Sequence, residues 1–562
     1  MISPLASTLS PARRTVALRR IQTTTIDVLV IGGGVVGAGA ALDAASRGLS
    51  VAVVEAQDWA SGTSSRPSKL VHGGLRHLVQ KEFKLVREAL LERGLLMRTV
   101  APHLVKPVRV LCPAASLWER VYLGAGMTLY DVLSGRRRGV LRHKRHTKAD
   151  LRRDMPGLTL NRFCGGLSYC DAQVDATRLA LTLIRTAGMY GALAVSRAAV
   201  TCVEPVTRGG EPVELIRIRD EETGEEFTAW ARHVVKATDV LTDGVERTIG
   251  SPIGISASMA KSVHLVVPQE RIPASLGLLL RTEHSVLFVI PWADHWIIGT
   301  TDTPWTLDKA TPALTSADID YLLRRVNVVL ETPLSGEDVV GVYAGLRTPV
   351  AGHAKTTTQF RRQHVIDVPR DGVAVIAGGK LITYRAMAED VVDAVLASRG
   401  TAAAASRTSC LPLIGAAKLE EAGEACQLAL RERGLGTTFG DRLVDRYGSL
   451  AADVVSLVDE DPRLGSVVRG SESVLLAEIA YAVEAEGARH LEDILVRRTG
   501  LAFELPDAGF GALEEITVVA GDRLCWSDAR RSHEIDLYST RILRERDVIA
   551  FSRNKAVTPN CE

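Results

Sequence analysis

The stretch DVLVIGGGVVG at residues 27–37 decides the fold, and it continues through small residues to Glu55. A short apolar run ends abruptly at glycines that fit G-x-G-x-x-G, directly after a predicted strand. Small residues then predict a slim helix that Gly48 ends, and residues 49–54 predict a second strand closing at Glu55. In such a unit the helix amides hold a pyrophosphate, and the acidic side chain binds an adenosine ribose. The stretch therefore predicts a dinucleotide site, with FAD or NAD left open.

Length and composition exclude several classes of protein. A chain of 562 residues exceeds what one hydrophobic core usually serves, so we expect two or three domains. A net charge of only +2 gives no argument for a nucleic-acid partner, and none is expected. The eight cysteines lack C-x-x-C spacing, so we predict neither a disulfide framework nor a metal site. The apolar stretch 28–42 is too short and too rich in glycine to span a membrane.

Residues 1–25 precede every fold signal. They contain four arginines and no acid, a composition shared with organelle transit peptides. We predict a disordered or loosely docked extension.

A long polar segment follows the predicted ribose-binding strand. Residues 58–78 are dense in serine, threonine and glycine, and so long a loop at this place is rarely idle. Its hydroxyls and amides suit phosphate and isoalloxazine contacts, and Gly73-Gly74 lets the backbone approach a flat ring.

Five ordered motifs carry a specific resemblance. They are SSRPSKLVHGGLR at 64–76, APHL at 101–104, YCDAQVDATRL at 169–179, GVYAGLR at 341–347 and GGKLITYRAMAED at 378–390. Together they resemble the FAD-dependent glycerol-3-phosphate dehydrogenases of the aerobic, membrane-associated type, over about residues 26 to 545. The resemblance implies FAD as the cofactor; a second motif that would serve NAD is absent. It also implies the FAD-binding residues, which are Gly32, Gly34, Gly37, Glu55, Thr63, Ser64, Ser65, Ser68, Lys69, His72, Gly73, Leu75, Gly379, Lys380 and Leu381.

A substrate with a phosphate dianion and a secondary alcohol needs cations and a base. By resemblance, the substrate-binding residues are Arg76, His77, Arg347, Arg362, Lys380 and Thr383. A histidine with a pKa near neutrality suits removal of the alcohol proton while hydride leaves for the flavin, and His264 is our choice. The cations Arg76, Arg347 and Lys380 would stabilise the developing alkoxide, so all four residues are predicted to be catalytic.

The chain departs from the family pattern at several positions. Where the family usually has Asn-Ala-x-Gly, this chain has Lys236 in place of the asparagine and Asp239 in place of the glycine. Ser262 replaces a glycine before His264. His77 and Ile382 stand where many relatives have tyrosine and threonine. A charge at Asp239 near a flavin phosphate is unfavourable. These departures keep a non-catalytic flavin-binding homologue open as an alternative.

The expected fold class is mixed α/β and α+β. We predict a Rossmann-like FAD-binding domain with an inserted antiparallel substrate domain and a C-terminal helical domain. The oxidoreductase region covers residues 26–400 and the helical domain residues 401–562. The FAD-binding parts are about 26–110, 165–253 and 350–400, and the substrate-binding parts are about 111–164 and 254–349.

The resemblance predicts oxidation of sn-glycerol 3-phosphate to dihydroxyacetone phosphate, with electrons passed to a membrane quinone. An oxidase that reduces oxygen to peroxide is the alternative, although the absence of a large insertion favours the dehydrogenase. A basic run within residues 136–153 is usually a solvated face or a flexible loop, and the alternative is docking on an anionic membrane surface, which fits the resemblance. The expected location is cytoplasmic, peripherally bound to the inner face of the cell membrane, and a homodimer is one expectation for the helical domain.

Overall fold

The computed structural model describes residues 7–74, 82–134, 141–238, 248–257, 259–282, 286–305, 312–347, 350–351 and 364–555. The strands in chain order are β1 (Thr25–Ile31), β2 (Val51–Val54), β3 (Leu70–Val71), β4 (Lys106–Ala114), β5 (Lys144–Thr147), β6 (Gly165–Gln173), β7 (Leu193–Val195), β8 (Ala198–Arg208), β9 (Glu211–Asp220), β10 (Glu226–Lys236), β11 (Ser256–Ala257), β12 (Ala260–Pro268), β13 (Gly277–Arg281), β14 (Val286–Trp292), β15 (His295–Gly299), β16 (Thr303–Pro304), β17 (Gly341–Arg347), β18 (Val350–Ala351), β19 (Val365–Arg370) and β20 (Val373–Ala377). The helices are α1 (Pro11–Thr23), α2 (Val35–Ser46), α3 (Phe83–Leu95), α4 (Leu117–Ser134), α5 (Lys148–Asp154), α6 (Ala176–Met189), α7 (Ser316–Asn327), α8 (Tyr384–Ser398), α9 (Leu419–Glu432), α10 (Phe439–Tyr447), α11 (Ala451–Ser456), α12 (Leu476–Glu484), α13 (Leu501–Glu504), α14 (Leu513–Leu524) and α15 (Asp528–Lys555).

The first sheet is the predicted dinucleotide-binding sheet. Its strand order is β19-β20-β10-β1-β2-β7, and all neighbours except β19 and β20 run parallel. Helices α2, α6 and α8 cover one face, and α2 approaches α8 closely because Gly39 lies against Tyr384 and Ala388. The antiparallel strands β8, β9 and β10 form the meander beside the other face. The carboxyl ends of β1, β10 and β20 therefore meet at one edge, where ligands of such sheets bind.

The second sheet is mainly antiparallel. Strand β12 lies between β15 and β17, and the sheet extends through β14 and β13 to β4, β6 and β3. Its larger apolar core, with α7, lies on one face, while α4 covers part of the other.

The predicted boundaries between the two parts are wrong at two places. Residues 106–110 and 165–173 were assigned to FAD binding, but β4 and β6 pair with each other along nine positions inside the second sheet. The alternation that would have distinguished the two sheets is missing because β6 is buried on both faces.

The C-terminal part is helical, as predicted, and has a separate apolar core. Its helices run from α9 to α15. The mixed fold class is confirmed. Within the described ranges, no helix has both the length and the apolar character needed to cross a bilayer.

The expectation of a disordered or loosely docked extension at residues 1–25 is wrong in its first alternative for the described residues 7–25, which form a helix docked on the first sheet. Ser10 caps α1, and Ala17 and Ile21 are buried against the first sheet. The Arg14 guanidinium donates to Asp220 at 2.9 Å, and the amide of Leu9 donates to the carbonyl of Ala485 at 3.0 Å. One of the four arginines on which that expectation rested is this ion-pair partner, and its distant acid is not visible from local composition.

Candidate active site

The glycine turn has the close packing that the motif predicts. Gly32 has a φ of +112°, and a Cβ there would lie 2.5 Å from the carbonyl oxygen of Ala237. A Cβ on Gly37 would lie 2.0 Å from the carbonyl oxygen of Gly32. Gly34 is the N-cap of α2 and supplies no side chain to its amides. Glycine is therefore required at positions 32 and 37, and the turn leaves the positive end of α2 facing the ligand edge.

Glu55 and Ser64 line the same turn. The Glu55 carboxylate accepts from the amides of Gly33 at 2.7 Å and Gln57 at 2.8 Å. Burial raises the pKa of Glu55, and these two amides oppose the shift. The Ser64 hydroxyl accepts from the amide of Val35 at 3.0 Å, at the helix end where a phosphate would be held. The arrangement fits an anionic dinucleotide with a ribose on the Glu55 side.

The rest of the polar loop divides into hydroxyls and structural groups. Thr63 and Ser65 lie in a short 3-10 turn, and the Ser65 hydroxyl donates to Gly62. Lys69 was predicted to contact the cofactor, but its ammonium binds Asp175 at 3.0 Å and lies 5.1 Å from the centre of the Trp292 ring. His72 stacks on Phe288 at 6.3 Å.

A buried network holds the loop at Gly73. The Asp171 carboxylate accepts from the Gly73 amide at 3.1 Å, from the Tyr130 hydroxyl at 2.9 Å and from the guanidinium of Arg93. Burial raises the pKa of Asp171, and the charge of Arg93 opposes the shift. A Cβ on Gly73 would lie 2.2 Å from the Tyr130 hydroxyl. The sequence interpretation missed this network; its only signal was an acid inside an otherwise apolar strand.

His264 lies at the centre of the second sheet, against the polar loop. Its Nε2 shares a hydrogen bond of 2.9 Å with the Ser68 hydroxyl, so two predicted site residues meet. The ring stacks on Tyr343 at 4.8 Å, and a Cβ on Gly299 would lie 2.3 Å from its Cδ2. Burial, and then the charges of Arg347 and Lys69, lower the pKa of His264 to about 3. The expected pKa near neutrality is therefore not found, because the ring is 1 % exposed.

Arg347 and Lys380 lie at the ends of strands from different sheets. Arg347 is the last residue of β17, opposite Ala260 in β12, and its charge acts on His264. Lys380 follows Gly378 and Gly379, both with positive φ, directly after β20. It starts the turn Leu381–Thr383 that leads into α8, and the Thr383 hydroxyl donates to the Lys380 carbonyl. Lys380 thus lies at the dinucleotide edge, where β20 ends, whereas Arg347 ends a strand whose Gly345 lies against Arg66 of the polar segment.

The departures from the family pattern are mostly buried. Lys236 ends β10 beside Ile31, and burial lowers the pKa of its ammonium to about 8. Ser262 lies opposite Gly345, and Ile382 is packed in the core. The predicted residues Leu75, Arg76, His77 and Arg362, and the departure at Asp239, lie outside the described residues. No group of metal-ligating side chains occurs among the residues that the structure describes.

Comparison with known proteins shows to which family the chain belongs. Residues 27–385 match the family model described as FAD dependent oxidoreductase, and residues 406–531 match the C-terminal domain of alpha-glycerophosphate oxidase. The chain is 46 % identical over 545 residues to glycerol-3-phosphate dehydrogenase 2 of Mycobacterium tuberculosis, covering 96 % of this chain and 92 % of that protein. The chain belongs to the FAD-dependent glycerol-3-phosphate dehydrogenase family.

Other members of the glycerol-3-phosphate dehydrogenase family extend the comparison. The mitochondrial enzyme of Bos taurus is 33 % identical over 551 residues, covering 94 % of this chain and 74 % of that protein. The structure of the Bacillus halodurans glycerol-3-phosphate dehydrogenase complexed with FAD superposes with a TM-score of 0.77 at 27 % identity, covering 95 % of this chain and 98 % of that chain. Membership of the family and the dinucleotide turn together identify FAD as the cofactor, which confirms the prediction.

Proposed function

We propose that this protein oxidises sn-glycerol 3-phosphate to dihydroxyacetone phosphate. The observation that carries the proposal is the hydrogen bond between His264 and Ser68, beside the cation Arg347. Ser68 belongs to the polar segment 58–78, which we call the cofactor loop. The relatives at 46 % identity are named for this substrate. Bound FAD supplies the hydride acceptor for such an oxidation.

The residues of the chain divide the remaining work. Helix α2 and Glu55 hold the dinucleotide, while Arg347 and Lys380 supply positive charge for the phosphate and for the alkoxide that develops at the alcohol. His264 is neutral at physiological pH because its pKa is low, so one ring nitrogen is available as a proton acceptor. The Ser68 hydroxyl contacts Nε2 and can pass the alcohol proton to that atom.

The low pKa makes His264 a weak base in the state described. A bound phosphate dianion would bring two negative charges close to the ring and raise the pKa towards the working pH. Titration of the imidazole by NMR with and without glycerol 3-phosphate tests this: a pKa that stays near its value in the unliganded protein would remove His264 as the base.

The quinone is our proposed electron acceptor. The alternative oxidase activity has one supporting observation, since the C-terminal family model carries the name of alpha-glycerophosphate oxidase. Anaerobic addition of sn-glycerol 3-phosphate should bleach the bound flavin, and a soluble quinone should restore the colour much faster than oxygen. Equally fast recovery with oxygen would support the oxidase. A yellow protein that never bleaches would support the non-catalytic homologue.

We further propose that helix α4 forms the contact with an anionic membrane surface. Its inner side chains Leu123, Met127 and Tyr130 are buried, while Trp118 and Val132 on the outer face are 80 % and 70 % exposed. Further exposed apolar residues of this face are Leu117, Val121, Tyr122 and Leu129. Exposed basic residues follow directly in the chain, at Arg142, Lys144, Arg145 and Arg152. An apolar face flanked by cations fits the boundary between acyl chains and anionic headgroups.

Sedimentation with lipid vesicles tests the membrane proposal. Trp118→Ser should weaken binding to vesicles rich in phosphatidylserine, and wild-type binding should fall at high salt. Leu428→Ser is the matched control, because Leu428 is a comparably exposed apolar residue in the C-terminal part. Equal loss in both variants, or binding that ignores lipid charge, would contradict the proposal. Peripheral association with the inner face of the cell membrane, like the homodimer, stays a prediction.

A further inference from the structure

Two arginines of the C-terminal part bind an aspartate next to the proposed FAD site. Asp58 follows the ribose-binding strand by four residues, and it accepts from Arg497 Nε at 2.5 Å and from Arg498 Nη1 and Nη2 at 2.6 and 2.7 Å. The three side chains are at most 2 % exposed. The partners lie more than 430 residues apart in the chain, so this contact joins the two ends of the fold.

The ion pairs continue beyond Asp58 as a chain of alternating charges. Arg497 also binds Asp493 at 2.5 Å, and Asp493 binds Arg197 at 2.7 Å. Arg197 belongs to the turn between β7 and β8, where its amide donates to the Gln57 carbonyl at 2.9 Å. A buried carboxylate is tolerated only when its charge and lone pairs are satisfied, so the conformation of residues 57–58 depends on arginines supplied from the helical part.

The next two residues carry this constraint to the glycine turn. Trp59 packs on Gly33 so closely that a Cβ there would lie 2.5 Å from the indole. The amide of Ala60 donates to the Gly33 carbonyl at 3.0 Å, and the Gly33 amide donates to Glu55. A shift of Asp58 would therefore move the groups that shape the dinucleotide turn.

We infer that Asp58, held by Arg497 and Arg498, is a positioning residue for FAD: the C-terminal part fixes the loop at residues 57–60 and thereby slows release of the cofactor. Asp58 would not contact FAD itself. It acts through Trp59 and Ala60 on Gly33.

The test measures FAD release from diluted holoenzyme by the recovery of flavin fluorescence. In Asp58→Asn, we expect release about tenfold faster than in wild type, as for a coupling carried by packed neighbours. Arg498→Lys keeps the charge but loses the bidentate geometry, so its rate of FAD release should lie between those of wild type and Asp58→Asn. If Asp58→Asn purifies as a folded apoprotein, that outcome also supports the inference.

A matched control separates positioning from general stability. Glu478→Gln breaks another buried ion pair of the C-terminal part, where Glu478 binds Arg442 at 2.6 Å and the Tyr447 hydroxyl at 3.0 Å. This variant should lower the Tm comparably and leave FAD release unchanged. The inference is overturned if Asp58→Asn and Glu478→Gln release FAD equally fast. It is also overturned if Asp58→Asn and Arg498→Lys lower the Tm but release FAD at the wild-type rate. If Asp58→Asn does not fold, Arg498→Lys alone decides.

Discussion

Two buried aspartates hold opposite ends of the cofactor loop, and their partners differ. Asp171 holds Gly73, at the end predicted to contact the flavin, and its Oδ1 also accepts from Arg93 and Tyr130. Asp58 holds the end near Glu55, and within the described ranges its carboxylate accepts side-chain hydrogen bonds from Arg497 and Arg498 alone. The first aspartate lies in the antiparallel sheet, and the second binds the helical part.

This difference separates what each body of the protein contributes. The second sheet holds the cofactor loop where we propose that the flavin and substrate react. The C-terminal part holds the same loop where we propose that the adenosine half of FAD binds. Disturbing the first of these contacts should change turnover, whereas disturbing the second should change retention of FAD.

Gly37→Val should have the largest effect, because it removes the site that both aspartates serve. The new Cβ would overlap the Gly32 carbonyl oxygen at 2.0 Å, and the backbone cannot yield without opening the turn. We expect protein without bound flavin, measured as the ratio of absorbance at 450 nm to that at 280 nm. Gly48→Ala is a suitable control, since a Cβ at Gly48 meets nothing within 4 Å, although its positive φ costs some stability. A fully yellow Gly37→Val would break the comparison at its base.

Arg347→Ala and Lys380→Ala should abolish most turnover and keep FAD. Each removes one cation proposed to stabilise charge at the substrate, and losses of about 100- to 1,000-fold in kcat/KM are usual for such groups. Steady-state assays together with the flavin content of the purified variants measure both quantities. Colourless variants would instead assign these residues to cofactor binding.

Asp171→Asn should show the contrast most directly. It leaves the Arg93 guanidinium buried beside a neutral partner, which typically costs about 3 kcal/mol or more of stability. Because Gly73 loses a charged acceptor, we expect kcat to fall about tenfold while FAD release changes less than in Asp58→Asn. Paired measurements of kcat and FAD release in the two variants provide the check. The comparison fails if both variants show the same ratio of the two effects.

His490 should make the stability of the protein sensitive to alkaline pH, because it joins the C-terminal part to Glu222 after β9. Although burial opposes it, hydrogen bonds with Glu222 and Glu534 raise the pKa of His490 to about 9. Its stabilisation is complete below the unfolded pKa near 6.5 and is lost as pH rises through about 9, on the order of 3 kcal/mol in total. The Tm of wild type should fall between pH 7 and 10, and His490→Gln should be less stable at pH 7 with a flatter profile. Parallel profiles would contradict this.

The sequence predicted best what the backbone builds. The turn at 32–37 and Glu55 are contiguous, and their conformation is imposed by glycine sterics, so the cofactor class was readable. The ion pairs of Asp58 and Asp171 were not readable, because nothing local identifies which distant arginine neutralises a buried acid. The pKa of His264 was missed for the same reason: stacking on Tyr343 and approach of Gly299 arise only from strand register.

The docking of α1 has a consequence for synthesis of the chain. Leu9 is fixed by the carbonyl of Ala485, and Arg185 donates to the carbonyl of Ser7. The contact of Leu9 with Ala485 thus forms only after a segment more than 470 residues further along the chain has left the ribosome, roughly 25 to 100 s later at ordinary elongation rates. During that interval α1 can already pack on the first sheet through Ala17 and Ile21, and the later contact with Ala485 then joins it to the helical part.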